Sequence, residues 1–99
     1  MPSYLVETFL AHGAAGERQE REQRASSAAE ALTREGTSVR FGGSIHIPED
    51  ELCYFTFEAP SGREAALVAQ RAGLDPLRVV EADSSISITG QPPSTRQEN

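Results

Sequence analysis

Between Val39 and Ala59 the chain alternates apolar and polar residues twice, once on each side of the polar turn Pro48-Glu49-Asp50-Glu51. A period of two sends successive side chains to opposite faces of a sheet, so this stretch reads as a β-hairpin. Helical patterns flank it. Ala25, Ala28, Ala29 and Leu32 recur at i, i+3, i+4 and i+7 within a run of good helix formers over 15–35. Ala65, Val68, Ala69 and Ala72 form a second narrow stripe, behind the capping-box sequence Ser61-Gly62-Arg63-Glu64. Gly36 and Gly73 stand where the two helices should stop. A β-rich stretch at 2–11 precedes the first helix, and another at 77–82 follows the second. The order is therefore β-α-β-β-α-β.

That order leaves few topologies open. It predicts an α+β, ferredoxin-like fold: a four-stranded antiparallel sheet in the order 4-1-3-2, with two helices on one face. Ninety-nine residues suffice for one domain, expected over 1–83. The remainder, 84–99, reads as an extension. Ile86 and Ile88 alternate there as a short edge strand would, or one swapped onto a partner, and a polar tail follows.

Two helices cover one sheet face only. The more apolar sets should point at them: Val6 and Leu10; Val39, Phe41 and Ile45; Cys53, Phe55 and Phe57; Val80 and Ala82. The opposite parity places Leu5, Glu7, Phe9, Arg40, Ser44, His46, Tyr54, Thr56, Glu58, Val79 and Glu81 on the open face. Aromatics mixed with carboxylates, an imidazole and a guanidinium suit a cleft with an apolar wall, or a wet dimer interface. A homodimer packed through this face is the expected reason for its composition.

Charge narrows the partners. The net charge is −6, and all nine basic residues are Arg. Without a basic stripe, neither nucleic acid nor an anionic membrane is an expected partner. No apolar run is long enough to span a bilayer, and no leader pattern opens the chain. The single cysteine, Cys53, cannot form an internal disulfide, which fits a reducing cytoplasm.

Several residues carry chemistry, each with a plainer alternative. Glu7, Glu58 and Glu81 fall on the same predicted face. Carboxylates brought close raise one another's pKa and make an acid/base pair; the alternative is that each is solvated or paired with Arg40. His12 and His46 are predicted near one end of the sheet with Glu49, Asp50 and Glu51, where a divalent metal could be held, or where two surface histidines merely flank a polar turn. Cys53 shares its parity with Phe55 and Phe57 and reads as a small buried hydrophobe. Tyr54 points to the open face, where it can pack or bind a ligand.

Three stretches carry a family resemblance: Met1-Pro2-Ser3-Tyr4-Leu5-Val6-Glu7, Cys53-Tyr54-Phe55-Thr56-Phe57-Glu58-Ala59-Pro60-Ser61, and Arg71-Ala72-Gly73-Leu74 with Arg78-Val79-Val80-Glu81. Together they resemble small bacterial ferredoxin-like domains of unknown function grouped with nickel-responsive proteins. The resemblance covers about residues 1–83 and implies a dimer similar to the dimeric α/β-barrel proteins. For some members it implies nickel binding. Metal-associated members carry histidines in the second strand and around the Arg-Ala-Gly segment, where this chain has Gly43, Ala69 and Leu74. The fold and the dimer carry over further than the metal.

Two functions are expected. One is an accessory binding protein, a homodimer whose sheet faces enclose a small-molecule or metal site lined by Glu7, His46, Tyr54 and Glu58. The other is a small dimeric α/β-barrel enzyme, a cyclase, isomerase or cofactor-free oxygenase, with a Glu or His46 as general acid/base. A purely structural dimeric module is the plainer alternative to both.

Overall fold

Residues 1–83 are described by the computed structural model, in the order β1 (Ser3–Phe9), α1 (Glu17–Arg34), β2 (Arg40–Ile47), β3 (Leu52–Glu58), α2 (Gly62–Arg71) and β4 (Arg78–Ala82). The extension expected over 84–99 lies outside the described residues. The four strands form one antiparallel sheet in the order β2-β3-β1-β4. This is the ferredoxin-like α+β arrangement, with 4-1-3-2 read from the other edge. Among the described residues no helix is long and apolar enough to cross a membrane.

The core lies between the sheet and the two helices. Val6, Leu10, Phe55, Phe57 and Val68 are fully buried there. Alanines line both helices on the side that meets the sheet, at Ala25, Ala28, Ala29, Ala65, Ala69 and Ala72. Small side chains let the helices approach closely, so the phenylalanines of β3 supply most of the volume. Half-buried Phe41 leans on Phe55 and Phe57 at ring-centroid distances of 6.4 and 5.4 Å.

Both helices end as their glycines predict. Thr37 N–H donates to Leu32 C=O at 2.9 Å and Gly36 N–H to Thr33 C=O at 3.1 Å, the Schellman pattern, with Gly36 at φ +106°. Leu74 and Gly73 repeat it on Ala69 and Gln70. Arg71 and Glu35 then tie the two helix ends together, with Nη1 to Oε1 at 3.1 Å. The Arg71 guanidinium holds the Glu35 carboxyl below its ordinary pKa. The start of α2 differs from the expected capping box. Ser61 is the N-cap, but its hydroxyl donates to the Glu64 carboxylate and accepts nothing from the helix backbone.

The later part of β2 and the whole of β4 present their faces in the opposite phase to the one expected, while Arg40 and Phe41 lie as expected. In β2, Phe41 pairs with Phe57 and the next pair is Gly43 with Thr56, so Gly42 is an extra residue in a β-bulge. Gly43 sits at φ +116°, a conformation that side-chain-bearing residues rarely adopt. Beyond the bulge every side chain has changed face. Ser44 lies opposite Phe55 and His46 opposite Cys53, both on the helix side. Ile45 lies opposite Tyr54 and Ile47 opposite Leu52, both on the open side. In β4, Val79 pairs with Val6 and Glu81 with Tyr4, on the helix side, while Arg78, Val80 and Ala82 join Glu7, Leu5 and Ser3 on the open face. The expected placements of Ser44, Ile45, His46, Val79, Val80, Glu81 and Ala82 are thus corrected.

Candidate functional site

Cross-strand partners share a face, so the register maps the open side as rows running from β2 to β4. The first is Arg40, Glu58, Ser3 and Ala82; the second Gly43, Thr56, Leu5 and Val80. The third is Ile45, Tyr54, Glu7 and Arg78, and the last Ile47, Leu52 and Phe9. Most of this surface is apolar. Phe9 and Ile45 each keep 54% of their area exposed.

Two ion pairs interrupt it. Arg40 Nη2 lies 3.0 Å from Glu58 Oε1 at one corner, and both groups are open to water. Arg78 Nε donates to Glu7 Oε1 at 2.6 Å near the centre. The Glu7 side chain is only 15% exposed, whereas Arg78 remains 66% exposed. The neighbours of Glu7 explain its shielding: Tyr54 and Arg78 flank it across the strands, and Leu5 and Phe9 lie two residues either way along β1.

The three carboxylates do not gather, and Glu58 follows the plainer reading, paired with Arg40. Glu58 pairs with Ser3, four residues along β1 from Glu7, which puts the two roughly 13 Å apart along the strand. Glu81 is on the other side of the sheet. Each carboxylate of the open face has an Arg instead, at Arg78 and Arg40.

The histidines part as well. His12 is exposed in the turn after β1, and its backbone N–H donates to Glu51 Oε2 at 3.0 Å. His46 lies under the helices, with its Nε2 buried and without a hydrogen-bond partner among the described residues. Its neighbours across the sheet are the buried Cys53 and then Thr8, whose hydroxyl donates to Cys53 C=O at 2.7 Å. Burial pushes the Cys53 thiol up in pKa, with Arg18 and Arg21 pulling the other way, so it is a poor nucleophile here. Ser44 takes Arg18 Nε at 2.8 Å on its hydroxyl and Nη2 at 2.9 Å on its carbonyl, and its own hydroxyl donates to Glu22. Ser44 thereby fastens α1 to β2. Among the described residues no three His, Cys, Asp or Glu side chains converge, so the donor set that nickel would need is not assembled among them.

An orphaned buried nitrogen costs stability, so His46→Leu is expected to keep the fold and to raise stability by about 1 kcal/mol. Urea titration of the two proteins measures it. A midpoint clearly below that of the parent would mean that His46 is held by a partner.

Shallow hollows of about 380 and 240 Å3 lie along α1, one against Val39 and Phe41, the other against Phe9 and Leu77. The open face is a single wall, and enclosing a ligand on it requires a second. No family model and no curated protein matches the chain. Among solved structures it is similar to SCO4226 from Streptomyces coelicolor A3(2), at a TM-score of 0.64 and 21% identity, over 85% of this chain and 99% of that one. At that identity the likeness speaks for the fold.

Proposed function

We propose that the protein is an accessory small-molecule-binding homodimer in which two copies pack through their open sheet faces and hold the ligand between them. The observation that carries the reading is the largely apolar face itself, which none of the described elements covers, with Phe9 and Ile45 more than half exposed. Patches of this extent on a small domain mark interaction sites. Four strands of about seven residues span roughly 19 by 23 Å. Two such faces cover on the order of 900 Å2 in projection, and side-chain relief brings the accessible area to the size at which specific interfaces begin.

Charge permits a second copy as the occupant. The face carries two Arg and two Glu, Arg40 and Arg78 with Glu58 and Glu7, and so is neutral. The whole net charge of −6 sits elsewhere on the chain. A neutral face sets up no net like-charge repulsion between two copies that meet through it. The reduced single cysteine, Cys53, accords with a cytoplasmic setting.

Sedimentation equilibrium at micromolar concentration tests the assembly. The expected mass is twice the 10.7 kDa of one chain. A single-chain mass across the micromolar range would overturn the reading.

A further inference from the structure

Closing two open faces on one another raises a question about Arg78. Its Nε is spent on Glu7, while its terminal nitrogens have no hydrogen-bond partner among the described residues. In the single subunit this is harmless, because water reaches them. In a dimer interior an unsatisfied guanidinium is strongly unfavourable, and pairing with one carboxylate oxygen through Nε leaves most of its donors open. The Tyr54 hydroxyl, on the other side of Glu7, likewise makes no hydrogen bond among the described residues. The row therefore offers unspent donors on both sides of Glu7, with Leu5, Val80 and Phe9 as apolar floor around them.

We infer that this row binds the carboxylate of a compact apolar acid, such as an aryl or branched-alkyl carboxylic acid, a reading that rests on the dimer proposed above. The bond from Arg78 Nε to Glu7 holds the guanidinium plane in place, so Glu7 acts as a positioning residue. The two terminal nitrogens then present parallel N–H donors spaced for the two oxygens of a carboxylate. Tyr54 supplies a neutral donor, and the apolar body lies on Leu5 and Val80. A primary amine would find only Glu7, already engaged by Arg78, and an amide would lose the charge-assisted pair.

The test is isothermal titration of the full chain with benzoate, benzamide and benzylamine, with sedimentation run on the same samples. Benzoate is expected to bind with millimolar affinity or better, benzamide and benzylamine at least about tenfold more weakly. Arg78→Gln is expected to weaken benzoate about tenfold or more, whereas Arg63→Gln, which removes an equal charge from an exposed site on α2, leaves it unchanged. A dimer that binds none of the three probes overturns the inference and leaves the dimer standing, since Arg78 is then spent on the partner copy. Equal binding of benzamide, preference for benzylamine, or equal losses in the two Arg variants overturns it too. A monomer overturns the dimer, and the carboxylate site between two copies falls with it.

Discussion

Phe55→Ala is expected to remove about 3–5 kcal/mol of stability. Phe55 is fully buried, pairs across β2 with Ser44 and across β1 with Val6, and leans on Phe41. The helices that cover it present alanines, which cannot reach into the space that a lost ring leaves. The cavity term should therefore be near the upper end of its range. A domain of this length has on the order of 5–10 kcal/mol in total, so the loss is a large fraction of it. Circular dichroism with urea, read as a midpoint at constant m-value, measures the loss. A loss below about 1 kcal/mol would show that the ring is not packed as described.

The second large effect concerns assembly. Ile45→Asp places a carboxylate on the open face opposite Tyr54, with no Arg at a neighbouring position in the sheet register. Ile45 is exposed in the single subunit, so the fold should survive the change. In the proposed dimer the new charge is buried without a partner, at a cost of about 3–5 kcal/mol. Dimer dissociation should strengthen by on the order of a hundredfold or more. Sedimentation across a concentration series reads this directly, and circular dichroism confirms that the monomer stays folded. Unchanged association would place the interface somewhere other than this face.

Much of the fold was legible because its signals were local. The hairpin alternation, the two alanine stripes and the stop glycines at Gly36 and Gly73 each need only a few adjacent residues. The faces of β1 and β3 were legible for the same reason, since Val6, Phe55 and Phe57 leave one sensible inside. The faces of β2 and β4 were not. β4 contains Val79 and Val80 side by side, so either phase buries a valine, and pairing with β1 decides between them. In β2 the phase depends on whether Gly42-Gly43 continues the strand or bulges, and both glycines fit either outcome. His46 and Glu81 went to the wrong side through these two ambiguities.

The candidate site was legible in part. Glu7, Tyr54, Glu58 and Arg40 share the open face, as their parities imply. Arg78 was not among the expected site residues, although it holds Glu7. Its contact spans 71 positions of sequence and follows from the β1–β4 register alone. The missing signal was the phase of β4, which turns Arg78 outward when Val79 turns inward.

The bulge in β2 also bears on how chain length can vary. Gly42 is surplus to the span of β3, so a chain lacking it could run the same ladder with Phe41 inward, Gly43 outward and every later side chain on its present face. A deletion beyond the bulge, at Ile45 for instance, would instead draw Pro48 toward the strand or exchange the faces of its neighbours. One position of β2 therefore absorbs a lost codon without disturbing the row that holds Tyr54 and Glu7, and the positions that follow it do not.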